Sequence, residues 1–271
     1  MIPAEEDNKI NTKSNESLPK PLPNSALLVI DMQYDFLPPN GSLAVKFGDK
    51  ILKPLKQYID ENINNFEIII FTQDYHPIDH ISFACNHPNK KDFDPITYKF
   101  PDTETSLASN NNMATSNSIP KEAKISSLNM QSKTPLKDTK SFNSLLWPKH
   151  CVQNTKGCEI HSIFTDYFNT LDNKYNRIKV VKKGYLPDRE YYSCFNDIWN
   201  DHKTEVSEYL QADGDKKIKN VYIVGLALDY CVYNSALSSS QLGYNTFIIK
   251  ALTKGIDPNW ELPKCDGITM I

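Results

Sequence analysis

The sequence has no apolar run long enough to span a bilayer and no N-terminal apolar stretch of the kind that directs secretion. Neither membrane insertion nor export is expected. No basic stripe stands out: 30 Lys and Arg face 33 Asp and Glu, for a net charge of -3 and a pI of about 6.1. Nucleic acid is therefore not an expected partner. None of the six cysteines, Cys85, Cys151, Cys158, Cys194, Cys231 and Cys265, stands in a C-x-x-C pair. Without a secretion signal they are expected as free thiols in a reducing compartment, cytoplasmic or nuclear, rather than as three disulfides. There is no internal repeat, no G-x-G-x-x-G and no Walker motif, so a phosphate-cradling loop is not expected.

What is present divides into patterned and unpatterned sequence. A chain of 271 residues suits one large α/β domain or two small ones. Its mean hydropathy of -0.50 is low for a compact enzyme, and two polar stretches account for that. Residues 1–24 carry almost no large apolar side chains, cannot bury enough surface to offset their ordering entropy, and are expected as a disordered leader. Several acidic residues and no Arg argue against a transit peptide. Residues 102–143, rich in Ser, Asn, Thr and Lys, read as a low-complexity insertion. Patterned sequence resumes beyond it, and loop-closure entropy grows slowly with length, so the expected unit is one domain over 25–271 with this insertion on its surface.

Strand and helix patterns alternate. ALLVID (26–31) is an apolar run ending in a carboxylate, the mark of a buried parallel strand. Residues 41–46 read as a loop or short strand, and 49–62 as a helix, with Ile51, Leu55, Tyr58 and Ile59 at helical spacing. FEIIIFTQ (66–73) is a second strand, followed by Asp74. A helix is expected over 161–171, a third strand over 178–182, and mostly helix over 189–210. VYIVGLA (221–227) is the fourth strand, 229–242 a helix, TFIIKAL (246–252) the fifth strand, and GITMI at the C-terminus a candidate sixth. The alternation predicts a doubly wound, Rossmann-like α/β fold: a mainly parallel sheet of about six strands with helices on both faces.

On that skeleton the reactive residues gather. Asp31, Asp74 with His76, Lys183 and Cys231 follow or end four different strands, at the sheet edge where open parallel sheets bind ligands. Each alone is ordinary: an Asp at a strand end is by default a cap or turn residue, and a free Cys is commonly a core residue. Four together point to a site. Cys231, opening the helix after the fourth strand, is the nucleophile candidate, since a helix N-terminus and a nearby cation such as Lys183 lower a thiol pKa. The small residues of GLA (225–227) leave backbone N–H groups approachable for an oxyanion. Asp31 is the candidate acid and base, with Asp35 as competitor. Asp74-x-His76 has metal-ligand spacing along an extended segment. His150 is the candidate third ligand, with His80 as rival. Two His and one Asp leave coordination positions open, which suits a catalytic zinc and equally Fe2+ or Mn2+.

The stretches VIDMQYDF (29–36), TQDYHPIDHISF (72–83), LWPKHC (146–151), KGYLPDREYYSCFNDIW (183–199) and VGLALDYCV (224–232) resemble the nicotinamidases of the isochorismatase-like cysteine hydrolases. DREYYS with HKTE downstream resembles the eukaryotic branch. The resemblance covers about 25–97 and 145–252. It implies hydrolysis of nicotinamide to nicotinate and ammonia through a cysteine thioester, in NAD salvage. It implies Asp31, Lys183 and Cys231 as catalytic residues, Asp74, His76 and His150 around a divalent metal, most simply Zn2+, and an oxyanion hole from the Ala227 and Cys231 amides after a cis Leu226–Ala227 peptide. Phe36, Trp147 and Tyr192 would clamp the pyridine ring. Acceptance of pyrazinamide-like amides, and the oligomeric state, stay open. Tyr75 stands where the family's metal loop usually carries Trp.

Overall fold

The computed structural model describes residues 18–100, 141–169, 177–211, 217–264 and 266–271. Six strands form one parallel sheet: β1 (Ser25–Ile30), β2 (Phe66–Asp74), β5 (Ile178–Lys183), β6 (Asn220–Leu226), β7 (Asn245–Lys254) and β8 (Ile268–Met270), in the spatial order β5-β2-β1-β6-β7-β8. The chain builds outward from β1 to one edge, then crosses back to β6 and builds to the other. The order therefore reverses between β1 and β6, where a crevice opens at the C-terminal ends of the strands.

The two central strands are buried along their whole length. Alternate residues feed two cores. Leu27 and Val29 of β1 join α1 (Leu52–Asn62), which contributes Leu55, Tyr58 and Ile59. Ala26, Leu28 and Ile30 face the other side, with Val206 and Leu210 of α3 (Val206–Gln211) and Ala236 of α4 (Tyr233–Gln241). Burying each Leu, Ile or Val among these contributes roughly 1.5–3 kcal/mol. The period-2 alternation thus forces helices onto both faces, as the sequence predicts. Gly225 lets β6 approach β1: its φ is +108° and a Cβ there would stand 2.1 Å from the Ile30 carbonyl oxygen.

Four expectations differ from the structure. Residues 189–210, expected as mostly helix, are irregular up to α3. Here short polar side chains hold the backbone in turns: Asp197 Oδ1 accepts from the N–H groups of Trp199 and Asp201 (3.0 and 2.9 Å), and Ser193 Oγ accepts from Phe195 N–H at 3.1 Å. Such local bonds compete with a helical ladder. The helix expected over 161–171 is a 3-10 turn, Ser162–Phe164, and a short α2, Asp166–Asn169; Leu171 lies outside the described residues. At the expected insertion, residues 101–140 lie outside the described residues. Ser141–Asn143, counted with it, instead belong to β4 (Ser141–Leu145), antiparallel to β3 (Pro95–Lys99).

The expected leader divides similarly. Residues 1–17 lie outside the described residues. Residues 18–24 are tied to the body: the Pro19 carbonyl accepts from the Tyr58 hydroxyl at 2.9 Å, and the Pro23 carbonyl from Asn220 Nδ2 at 2.9 Å. These contacts fall on α1 and on the N-terminal end of β6, the latter opposite the crevice. No helix among the described residues is long and apolar enough to cross a membrane.

Candidate active site

The crevice is built around a buried ammonium. Asp74 and Lys183 end β2 and β5 and are register partners in the parallel sheet. Lys183 Nζ lies 2.5 Å from Asp74 Oδ1, 2.9 Å from Asp31 Oδ2 and 3.5 Å from Cys231 Sγ, and donates to the Tyr191 carbonyl at 3.2 Å. Asp31 follows β1 with a left-handed φ of +46°. Thr72 of β2 grips it twice, donating to Oδ1 at 2.6 Å and accepting from its backbone N–H at 3.0 Å. Oδ2 faces the ammonium as an ion pair and has no hydrogen-bond partner among the described residues. Lys183 and Asp31 are both fully buried.

Charges this deep are held by one another. Burial alone would lower Lys183, but Asp31 and Asp74 outweigh it and keep the ammonium well above its ordinary value. Burial raises Asp31 against the attraction of Lys183. For Asp74 the balance reverses: burial would raise it, and Lys183 with His76 holds it well below the usual carboxylate range. Cys231 corrects the sequence-based expectation of a lowered thiol pKa. Burial pushes it well above its ordinary value, despite Lys183, because two carboxylates also face it. Beside the thiol stands Asp31, a carboxylate whose own proton affinity burial also raises.

On the other side of Asp74 lie the imidazoles. Asp74, His76 and His150, all buried, offer ligand atoms within 4.8 Å of one another. His76 Nδ1 is bound to the Gly184 carbonyl and His150 Nδ1 to the Pro148 carbonyl, each at 2.8 Å. Both imidazoles are thereby oriented to present Nε2, the usual support of a ligating histidine. His76 Nε2 stands 3.5 Å from Asp74 Oδ2. The donor set of one carboxylate and two oriented imidazoles fits a divalent cation with open positions. His80 is not part of this group. Its ring nitrogens are engaged by Ser82 Oγ (2.7 Å) and the Arg189 carbonyl (3.0 Å), and its ring packs 4.0 Å from that of His76. Asp35 is a turn residue that accepts from Cys151 N–H at 2.7 Å.

A small cavity joins the two halves. Phe36, Trp147, Tyr192 and Tyr230 form aromatic walls, and Asp74, His150, Glu190, Ala227 and Cys231 line it beside them. The Trp147 indole N–H donates to the Tyr192 hydroxyl at 3.0 Å, and that hydroxyl also bonds Ser144 Oγ of β4. Cys231 sits in a single wide turn, Leu228–Val232, closed by Val232 N–H donating to the Ala227 carbonyl at 3.0 Å. This turn leads directly into α4. The Leu226–Ala227 peptide is cis.

The residues assigned to the site from the sequence therefore lie at this crevice, while the two alternatives weighed beside them, Asp35 and His80, are bonded elsewhere. Sequence reading missed Thr72, Glu190, Tyr230 and Gln33, whose side chain binds the Asp74 backbone. Gln33 and Thr72 lie inside the stretches VIDMQYDF and TQDYHPIDHISF, but a polar residue beside a strand end carries no period and no ligand spacing to mark it.

A family model described as the isochorismatase domain matches residues 121–262. The chain is 35% identical over 236 residues to a nicotinamidase of Saccharomyces cerevisiae, covering 87% of this chain and 90% of that protein. The crystal structure of the yeast nicotinamidase bound to the inhibitor nicotinaldehyde superposes with a TM-score of 0.69 at 34% identity, over 87% of this chain and 90% of that one. The pyrazinamidase of Pyrococcus horikoshii in complex with zinc superposes with a TM-score of 0.56 at 26% identity, over 92% and 99% of the two chains. The chain belongs to the isochorismatase-like hydrolases, and within them to the nicotinamidases.

Proposed function

We propose that this protein hydrolyses nicotinamide to nicotinate and ammonia by covalent catalysis at Cys231. The observation that carries the proposal is the environment of Lys183 Nζ, which brings Asp31, Asp74 and Cys231 around one buried charge. The aromatic walls suit a flat heteroaromatic ring, and Cys231 lines the same cavity, within which the carboxamide would lie.

In this mechanism Asp31 takes the thiol proton as sulfur attacks the amide carbon. Burial raises the proton affinity of Asp31, and Thr72 leaves its Oδ2 open to receive the proton. Lys183 offsets the negative charge shared by Asp31 and sulfur throughout. The oxyanion is assigned to the Ala227 and Cys231 amides. Asp31 then passes its proton to the departing nitrogen, ammonia leaves, and a thioester remains. Water attacks the thioester, giving a proton to Asp31. The carbon–sulfur bond breaks, the proton returns to sulfur, and nicotinate leaves. A divalent ion held by Asp74, His76 and His150, Zn2+ or alternatively Fe2+ or Mn2+, would supply a Lewis acid for the ring nitrogen and for water.

Phe36, Trp147 and Tyr192 are assigned to ring binding, and pyrazinamide-like amides present the same face. A cytoplasmic role in NAD salvage belongs to the same proposal. The test is ammonia release from nicotinamide by the metal-loaded protein beside its Cys231→Ala variant. Turnover by the wild type and none by the folded variant is expected. Turnover retained in the variant would rule out the covalent route.

A further inference from the structure

One buried side chain outside the reacting groups is connected as if to hold them. Gln33, two residues past Asp31, is fully buried. Its Nε2 donates to the Asp74 carbonyl at 2.7 Å and to the Cys158 carbonyl at 2.8 Å, and its Oε1 accepts from the Asp74 N–H at 2.8 Å. Both backbone groups of Asp74 are thus gripped by one amide. The Gln33 backbone is itself fixed, donating to the Asp31 carbonyl at 2.8 Å and bridging to Ile160.

The other end of this clamp matters equally. Cys158 closes the segment that carries His150. Residues between them pair with His76: its N–H donates to the Cys151 carbonyl at 2.9 Å, and its carbonyl accepts from Gln153 N–H at 2.8 Å. Gln33 therefore ties the strand end bearing Asp74 to the loop bearing His150. An amide suits this place because it offers two donors and an acceptor on one plane. An apolar side chain would take these partners from the Asp74 N–H and carbonyl and leave the Cys158 carbonyl with Gln73 Nε2 alone, at 2.6 Å.

We infer that Gln33 is a positioning residue of the Asp74–His76–His150 centre. It fixes the Asp74 backbone so that, with Oδ1 on Lys183, Oδ2 is aimed at the imidazoles. This rests on the reading of those three residues as a metal site. Supporting partners of metal ligands are typically worth 10–100-fold in metal affinity.

The test uses the full chain stripped of metal, with Zn2+ as probe. Zinc affinity is measured by competition with a chromogenic chelator, and melting temperature with and without zinc. For Gln33→Met, zinc affinity is expected to fall at least tenfold, with a smaller zinc-induced rise in melting temperature. Gln33→Glu keeps the acceptor for the Asp74 N–H but removes both donors. It decides the matter should the Met variant not fold, and is expected to lose affinity in the same direction. A folded variant that melts earlier yet binds zinc like the wild type would reduce Gln33 to a structural staple and overturn the inference. A wild type that takes up no zinc would overturn the metal-centre reading itself, and this inference with it.

Discussion

Asp74 and Lys183 stand opposite one another in the register of two parallel strands, with the ammonium 2.5 Å from the carboxylate and both residues buried. Removing one member of such a pair strands the other's charge. Lys183→Met leaves Asp31 and Asp74 facing each other in the crevice. It is expected to cost about 3–5 kcal/mol of stability and to abolish ammonia release. Urea unfolding beside an activity assay checks both; a variant as stable as the wild type would contradict the charge balance described above.

Thr72→Val keeps the shape of the side chain and removes the hydroxyl that donates to Asp31 Oδ1. That bond favours the carboxylate form and lowers Asp31, against the larger upward effect of burial. Its loss moves Asp31 further up, so a smaller fraction is available as base at any given acidic pH. The acid limb of the kcat/KM profile is expected to shift to higher pH, with roughly a tenfold loss at the optimum for one hydrogen bond. A shift in the opposite direction would remove Asp31 from the role of base.

Gly184→Ala tests the support of His76. Gly184 has φ of +70°, and a Cβ there would lie 2.4 Å from His76 Cε1. Something must yield, and the imidazole is the nearest movable group. The substitution is expected to cost about 1–2 kcal/mol in backbone strain and to weaken zinc binding as well. Isothermal titration of the metal-free variant measures the second effect; unchanged zinc affinity would show that His76 tolerates displacement.

Excision of residues 104–137 is expected to leave kcat/KM within about twofold of the full chain. Lys99 and Ser141 are cross-strand partners of β3 and β4, so a short turn can rejoin the ends at little entropic cost. None of the residues assigned to the site lies in the excised stretch. A large loss of activity with retained melting temperature would assign that stretch a part in the reaction.

The central strands of the six-stranded sheet were legible because they are apolar runs ending at a carboxylate or small-residue turn, as in ALLVID and VYIVGLA, whereas β3 and β4, half-exposed and polar, carried no such mark. Two-faced burial requires such runs, and their alternation with helices forces the doubly wound order. The same logic carried Asp31, Asp74, Lys183 and Cys231 to one edge. The segment 189–210 was misread because its aromatic residues mimic a helical face. In the folded protein they pack inward from turns that Asp197 and Ser193 hold in place.

The sequence by itself determined the fold class, the edge of the sheet where chemistry gathers, and the residue types present there. All of that follows from periodicity along the chain. Only the tertiary structure decided the protonation balance, because whether Lys183 lowers the Cys231 thiol depends on how much water burial removes and how many carboxylates share the charge. It also set His80 aside from the ligands and revealed the Gln33 clamp, since both depend on which groups meet across more than a hundred residues of chain.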